Sequence, residues 1–236
     1  MRVNKSYWRY LFFGDLLVEL TAIAFNWHTA RFFTKPLLLL LLFTWFMSAS
    51  VKFSPLRYII AAALFFSWLG DIFLLHNNAG WFMAGLGSFL LAHLLYIFFF
   101  VRARRSQPVK GPWRPVVIAA VVAYTVMLFS VLYKHTGNLQ VPVGIYACAI
   151  AGMLVTAVHA FNKNYSNAGA WCIPGAALFV ISDSLLAIHK FYYAFAGGPF
   201  AVMLTYALAQ YAITKGCLLY LAAEKKGLTA IAKRRG

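Results

Sequence analysis

The chain has 236 residues, of which 63% are hydrophobic and 11% are charged, and its mean hydropathy is +0.74. Soluble globular domains carry about 25% charged residues, so this composition excludes an ordinary soluble domain. It also excludes a disordered, collagen-like or coiled-coil chain. The three cysteines all lie in apolar runs and do not form the pattern of a disulfide scaffold. The composition therefore indicates a membrane protein.

The charge is strongly basic, with 21 Lys and Arg against five acids and a net charge of +16. In a soluble protein this excess would suggest a nucleic-acid partner. Here the basic residues lie between apolar runs, where they are typical of loops at a membrane surface. We therefore expect the lipid bilayer as a partner and no nucleic acid, while the sequence gives no indication of an oligomeric state.

Apolar runs of about 20 residues are long enough to cross the hydrocarbon core as helices. The chain contains eight of them with short connections, which predicts an all-α, polytopic membrane bundle forming one domain over residues 1–236. Lys35-Pro36 is expected to start the second span, because proline is tolerated in a first helical turn. The predicted spans are residues 8–26, 36–50, 56–75, 81–101, 114–133, 139–161, 169–190 and 198–222.

The orientation follows from the distribution of basic residues between the two sides of these spans. The side that holds the N-terminus carries 16 Lys and Arg, and the opposite side carries 4. This bias predicts that both termini are cytoplasmic, in the inner membrane if the source is bacterial. The basic tail Lys233-Arg234-Arg235 is expected to contact anionic headgroups.

Two acidic residues, Asp71 and Asp183, lie deep in predicted spans. A carboxyl group at such a depth costs a few kcal/mol, so it faces the bundle interior and has a partner or a function. Asp71 lies 15 residues and Asp183 lies 14 residues from the cytoplasmic starts of their spans. At the helical rise these are depths of roughly 22 and 21 Å, which places both carboxyls at one level in the outer half of the bilayer. The alternative role is structural, through a buried lysine or a hydrogen bond that joins helices.

Two further acids, Asp15 and Glu19, lie four residues apart in the first span and share one helix face. We expect them to form a solvated or Arg9-paired stripe near the cytoplasmic side, and any further role for them is open.

The surroundings of the two deep aspartates resemble each other. Residues 70–75 and 182–187 share the pattern small–Asp–x–x–Leu–apolar, and Leu91-Ala92-His93 parallels Leu208-Ala209-Gln210. The pattern predicts a parallel four-plus-four repeat with the aspartates across a pseudo-twofold axis along the membrane normal, as in some transporters. A chance match of short segments is the alternative.

Several short motifs recur in one order along the chain, and together they are specific. They are Lys35-Pro36 before a leucine run, Leu69-Gly70-Asp71, Gly85-x3-Phe89-x3-His93-x2-Tyr96, Gly175-Ala176-Ala177-Leu178-Phe179-x2-Ser182-Asp183-x2-Leu186-Ala187-x2-Lys190-Phe191, and Tyr206-x2-Ala209-Gln210. From about residue 35 to residue 210 the chain resembles the YhhN family of multi-pass lysoplasmalogenases.

The resemblance implies an eight-helix bundle that needs no organic cofactor. It also implies hydrolysis of the vinyl-ether bond of lysoplasmalogens, which are alkenyl-glycerophosphoethanolamines and -cholines. The products of that reaction are a fatty aldehyde and a glycerophospho-alcohol.

This chemistry requires a positioned acid for the β-carbon, a negative charge facing the oxocarbenium ion, and a base for water. Two carboxyls at one depth suit these roles, as in glycosidases, where one is protonated and its partner is ionised. We therefore expect Asp71 and Asp183 to be the catalytic pair. The sequence does not decide which of them donates the proton, since coupled groups titrate together.

His93 is a third candidate catalytic residue, which could orient water or transfer protons, with Tyr96 one turn further on as a substrate contact. The alternative is a core histidine bonded to a helix carbonyl. By helical rise His93 lies about 18 Å from the outer end of its span, deeper than Asp71, so a direct Asp71–His93 hydrogen bond is an open question.

Three other residues are candidate substrate contacts. Lys35 at the outer edge suits a lipid phosphate, or else it is a snorkelling anchor. Ser182 and Gln210 are expected to hydrogen-bond to the aspartates or to the substrate.

Two other functions are compatible with the same residues. A transporter or lipid-binding protein would use the aspartates to carry protons or to pair with a cation. A metal-dependent hydrolase would need a zinc site built from histidines and aspartates, although no HExxH or CxxC spacing occurs. The histidines available for such a site are His28, His76, His93, His135 and His189.

Overall fold

The computed structural model describes residues 7–51, 54–76, 78–107, 111–161 and 165–235, with side chains described up to residue 225. Within these ranges the chain is helical and contains no strand. The helices are α1 (Tyr7–Ala24), α2 (His28–Ala49), α3 (Pro55–Phe73), α4 (Ala79–Arg105), α5 (Pro115–Tyr133), α6 (Gln140–Ala160), α7 (Ser166–Ala187) and α8 (Gly198–Arg235). A 3₁₀ turn (Gly137–Leu139) precedes α6, and a π turn (Ile188–Tyr192) follows α7.

The predicted all-α bundle is confirmed, with eight helices in the described part of the chain. Seven of them are long and apolar enough to cross a membrane. The exception is α1, which carries the three charged residues Arg9, Asp15 and Glu19 within 18 residues. The four-plus-four repeat stays a prediction.

The second helix begins earlier than predicted. It starts at His28, and Pro36 lies in its interior rather than in its first turn. Proline is tolerated inside membrane helices because neighbouring groups satisfy the backbone carbonyl that it leaves unpaired. Pro174 lies inside α7 in the same way, whereas Pro115 occupies the first turn of α5 as expected.

Some basic residues used in the charge count, among them Arg2, Lys5, Lys52, Lys110 and Lys163, lie outside the described residues. The side chains of the basic tail Lys233-Arg234-Arg235 lie outside them too.

Helix α8 lies at the centre of the bundle, where it packs against α7 and contacts α1, α2 and α3. Two glycines allow α7 and α8 to approach closely. A Cβ on Gly175 would lie 2.8 Å from Ile213 Cγ1 and 2.9 Å from Ile213 N, and a Cβ on Gly216 would overlap Cys172 Sγ. Small residues at helix contacts are the usual means of close packing in membranes. The last turns of α7 lie beside the first turns of α8, where Ser182 contacts Val202.

Helix α5 lies at the edge of the bundle. It packs against α6 and contacts the π turn, and Leu132 is its one buried residue. Its Tyr124 hydroxyl donates a hydrogen bond to Ser184 Oγ on α7 at 2.8 Å. Helix α5 forms one wall of the cavity described in the next section, and this hydrogen bond joins that wall to α7.

Candidate active site

A cavity of about 370 Å³ opens at the end of the bundle where α3 and α7 finish. Asp71 and Asp183 both line it, so the two carboxyls share one space. Among the described residues they are the only carboxylates on its walls. Most of the remaining surface is apolar, as in typical lipid and small-molecule sites. Its apolar lining includes Leu74, Leu86, Phe89, Leu128, Phe129, Leu132, Val143, Ile150 and Met203.

Asp71 is held by side chains from two other helices. It is 1% exposed and lies two residues before the end of α3. Tyr206 of α8 donates its hydroxyl to Oδ2 at 2.7 Å. Lys35 of α2 places its ammonium nitrogen 3.8 Å from Oδ1. Asp71 therefore has one neutral donor and one cationic partner.

Asp183 has different partners. Its side chain is 14% exposed, and Tyr146 of α6 donates its hydroxyl to Oδ2 at 2.5 Å. His93 Nε2 lies 4.0 Å from the same oxygen. No Lys or Arg nitrogen of the described residues lies within 4.0 Å of this carboxyl. Asp183 thus faces a phenol and an imidazole rather than a fixed cation.

His93 is completely buried beside Asp183. Its ring packs edge-on against Tyr146 and Phe179, with ring centroids 5.2 and 4.7 Å apart. Neither ring nitrogen has a hydrogen-bond partner among the described residues. The imidazole therefore lies beside Asp183. The sequence left open a hydrogen bond between His93 and Asp71, and the structure does not contain one among the described residues.

Two predicted substrate contacts, Tyr96 and Gln210, lie behind Asp71 rather than on the cavity wall. Tyr96 donates to Gln210 Oε1 at 3.0 Å, and Gln210 Nε2 donates to the Tyr206 hydroxyl at 3.5 Å. Tyr206 in turn donates to Asp71. These residues form a buried chain of hydrogen bonds that ends at one carboxyl.

Ser182 lines the cavity next to Asp183 and donates its hydroxyl to the carbonyl of Val202 on α8 at 3.0 Å. This bond joins α7 to α8 at the level of the site.

A family model for the YhhN family matches residues 30–217, which include both aspartates and the side chains that surround them. The chain belongs to the YhhN family. One similar protein is the lysoplasmalogenase of Mycobacterium bovis, which is 33% identical over 63% of this chain and 59% of its own length. Another is lysoplasmalogenase TMEM86B of Rattus norvegicus, which is 27% identical over 82% of this chain and 74% of its own length. Lysoplasmalogenase TMEM86B of Homo sapiens is 28% identical over 82% of this chain and 76% of its own length. The chain thus spans less than two thirds of the mycobacterial relative. No solved structure matches the chain.

The YhhN model begins after α1, and the structure shows that Glu19 of α1 is not the exposed residue that was expected. Glu19 is 0% exposed, and its carboxylate accepts hydrogen bonds from Arg31 Nε at 3.2 Å and Thr34 Oγ at 2.5 Å. The prediction of a solvated or Arg9-paired stripe near the cytoplasm is wrong for Glu19. The turn between α1 and α2 is short, so the last turns of α1 face the first turns of α2. Asp15 is partly exposed, and its Oδ2 has no hydrogen-bond partner among the described residues.

Three side chains of this site, Tyr146, Tyr206 and Arg31, were not predicted from the sequence as site residues, although Tyr206 begins one of the family motifs. Acidic and basic groups deep in apolar spans stand out in a sequence, whereas tyrosines near the ends of membrane helices are usually interfacial anchors. A tyrosine well inside an apolar helix could have indicated a polar partner in the bundle, because a buried hydroxyl needs a hydrogen-bond partner. Arg31 was counted only for topology, because the second helix was predicted to begin after it.

The histidines do not gather into a metal site within the described part of the chain. There, no group of three His, Cys, Asp or Glu side chains has the arrangement of metal ligands.

Proposed function

We propose that this protein hydrolyses the vinyl-ether bond of lysoplasmalogens and releases a fatty aldehyde and a glycerophospho-alcohol. The observation that carries the proposal is that Asp71 and Asp183 line one largely apolar cavity at the end of the bundle. Such a cavity suits a lipid chain, and two carboxyls suit acid–base chemistry on its polar end. The similar proteins of Mycobacterium bovis, Rattus norvegicus and Homo sapiens are lysoplasmalogenases, which supports the substrate class.

The partners of the two aspartates suggest different roles for them. A cation close to a carboxyl favours its ionised form, and a buried carboxyl without one favours the protonated form. Lys35 lies 3.8 Å from Asp71, whereas Asp183 has Tyr146 and His93 beside it. We therefore assign Asp183 as the acid and Asp71 as the ionised partner and base.

The first half of the reaction forms a hemiacetal. Protonated Asp183 delivers its proton to the β-carbon of the vinyl ether, and the double-bond electrons form that C–H bond. The resulting oxocarbenium ion is stabilised by the Asp71 carboxylate. Asp71 then takes a proton from water as the water oxygen bonds to the α-carbon.

The second half restores both carboxyls. Asp71 returns its proton to the glycerol oxygen as the C–O bond breaks, and Asp183 takes the hydroxyl proton as the aldehyde forms. One water molecule is consumed, and the pair ends in its starting protonation state. Each aspartate therefore acts once as acid and once as base.

The remaining residues position this pair. Tyr206, held by Gln210 and Tyr96, fixes the orientation of Asp71. Tyr146 does the same for Asp183 through its hydrogen bond, and the buried His93 packs beside that carboxyl, with Nε2 4.0 Å from it. Catalytic groups need this support, because small misplacements of a reacting group cost large factors in rate.

The test is aldehyde release by purified protein from a lysoplasmalogen, with the saturated alkyl-ether and acyl lysolipids as matched controls. Cleavage of the alkenyl lipid alone is expected, because a saturated ether has no carbon that accepts a proton in this way. In D₂O the aldehyde should carry one deuterium at C2, the former β-carbon, with authentic aldehyde as the exchange control.

Asp71→Asn and Asp183→Asn should each abolish turnover while the protein remains folded. Full activity in both variants would overturn the acid-pair mechanism. Binding or transport of the lipid without aldehyde release would support the transporter or lipid-binding alternative instead.

The charge bias predicts that the cavity opens toward the outer face, with both termini in the cytoplasm. Lys134, in the exposed turn after α5, lies on the same predicted side as Arg31. A Lys134→Cys variant in intact cells should react with a membrane-impermeant thiol reagent. Labelling only after lysis would reverse the orientation.

A further inference from the structure

The mouth of the cavity carries basic groups from three parts of the chain. Arg31 comes from α2, His76 follows α3, and His189 and Lys190 lie on the π turn. His76 and Lys190 are exposed, and the Arg31 side chain is 26% exposed, so all three reach solvent or lipid headgroups. A cluster of one charge sign at an entrance attracts ligands of the opposite sign. The entrance is therefore suited to an anionic group.

Arg31 is held in a fixed orientation by Glu19. Its Nε donates to the completely buried Glu19 carboxylate at 3.2 Å, and Thr34 donates to the other oxygen. Within the described part of the chain, Nε is the one guanidinium nitrogen of Arg31 that forms a hydrogen bond or ion pair. A guanidinium bound through Nε still presents its two terminal nitrogens as a planar fork, which matches two phosphate oxygens.

The other cation on this face of α2 has a different partner. Lys35 lies one helical turn after Arg31, about 6 Å along the axis, and its nitrogen is 3.8 Å from Asp71. Lys35 is 9% exposed, so it is less accessible than Arg31. Arg31 is thus available to a ligand, whereas Lys35 is paired with the Asp71 carboxyl.

Lys190 is a second exposed cation that lines the same cavity. Its ammonium lies 4.3 Å from the centre of the Phe82 ring, and both residues line the cavity. The π turn that carries Lys190 also carries His189, whose Nδ1 accepts the Phe195 N–H at 3.2 Å. Single π turns within helical segments are frequent at functional sites.

We propose that Arg31, positioned by Glu19 and assisted by Lys190, binds the phosphate diester of the lysophospholipid headgroup. This rests on the proposed function, because it names where the headgroup of that substrate lies. In a lysoplasmalogen the three carbons of glycerol separate the phosphate from the vinyl ether. Phosphate at Arg31 therefore leaves the vinyl ether one turn deeper, beside Lys35 and Asp71.

The experiment compares two substrates with the same alkenyl chain, a lysoplasmalogen and the phosphate-free 1-alkenylglycerol. Arg31→Gln should raise KM for the lysoplasmalogen about 10- to 100-fold, the usual effect of losing charge-assisted hydrogen bonds. It should leave turnover of the alkenylglycerol unchanged. Arg31→Lys should fall between wild type and Arg31→Gln, since lysine keeps the charge without the fork.

Glu19→Gln tests the positioning role. It should raise KM for the lysoplasmalogen by a smaller factor and leave kcat unchanged, and its turnover of alkenylglycerol shows that the variant is folded. Lys134→Gln is the matched control, because Lys134 is exposed and does not line the cavity. Equal losses on both substrates in Arg31→Gln would overturn the proposal.

Two competitors separate a lipid headgroup from a free anion. In the alkenylglycerol assay, the saturated-ether lysophospholipid should inhibit wild type strongly and Arg31→Gln weakly. Inorganic phosphate should have little effect, and inhibition equal to that of the lysolipid would assign the site to a free anion and overturn the headgroup proposal.

Measuring the binding of the saturated-ether lysolipid, which the enzyme is not expected to cleave, tests the headgroup site independently of the proposed reaction. If wild type cleaves neither substrate, the proposed function fails. Weaker binding by Arg31→Gln than by wild type would still support the headgroup site, and equal binding would overturn it.

Discussion

Lys35 and Asp71 form a buried ion pair at the inner end of the cavity, with the ammonium nitrogen 3.8 Å from Oδ1. Lys35 comes from α2 and Asp71 from the end of α3, so the pair fixes one carboxyl of the site relative to a neighbouring helix. Because Asp183 lacks such a cation among the described residues, the pair also makes the two aspartates electrostatically different.

Lys35→Met should lower kcat about 100-fold or more, within the range expected when a general acid–base group is disabled. The reason is that the Asp71 carboxylate loses its counter-charge in a buried site. Lys35→Arg, which keeps the charge, should retain part of the activity. Aldehyde release under saturating lysoplasmalogen measures both, and equal activity of Lys35→Met and wild type would contradict the assigned role of Asp71.

Tyr146→Phe and Tyr206→Phe should each lower kcat about 10- to 100-fold, the usual effect of losing a hydrogen bond to a charged or reacting group. Each tyrosine donates its hydroxyl to one of the two carboxyls. Tyr96→Phe is the matched control, because that buried tyrosine bonds to Gln210 and not to an aspartate. Tyr96→Phe should change kcat only slightly. A decrease in kcat as large as that of Tyr206→Phe would mean that the hydrogen bonds from Tyr96 to Asp71 act as one unit.

His93→Ala should lower kcat about 10-fold, and added imidazole should restore part of that loss. The substitution leaves a ring-sized space against Tyr146, Phe179 and Asp183. Rescue would show that the imidazole acts on the carboxyl. Loss of thermal stability without rescue would show that His93 is a packing residue of the core.

Gly216→Val should destabilise the bundle by about 1–3 kcal/mol, as expected for overpacking. Its Cβ would overlap Cys172 Sγ and lie 2.9 Å from the Cys172 backbone nitrogen, at the contact between α7 and α8. Gly87→Ala is the control, because nothing lies within 4 Å of its Cβ position. Thermal unfolding in detergent should show a lower Tm for Gly216→Val alone.

Prolonged dialysis against a chelator should leave aldehyde release unchanged, because the proposed mechanism uses two carboxyls and water. The histidines proposed as alternative zinc ligands do not cluster within the described part of the chain. Loss of activity that added zinc restores would favour the metal-dependent hydrolase instead.

Much of the fold could be predicted because the bilayer imposes strong rules on sequence. Apolar length locates helices in a membrane protein. It located the eight helices of the described residues, of which all but α1 are long and apolar enough to cross a membrane, although α2 begins at His28 rather than near Pro36. The proline was misleading because a membrane helix accommodates proline in its interior as well as in its first turn.

The sequence by itself determined the fold class and singled out Asp71 and Asp183, because buried charge is costly in a membrane and stands out against apolar helices. It did not determine their partners. Tyr146, Tyr206 and Lys35 come from three other helices, and Glu19 meets Arg31 across a helical hairpin. These contacts depend on the rotation and depth of each helix. Tertiary packing decides both, since close contacts such as that of Gly216 with Cys172 set how the helices fit together.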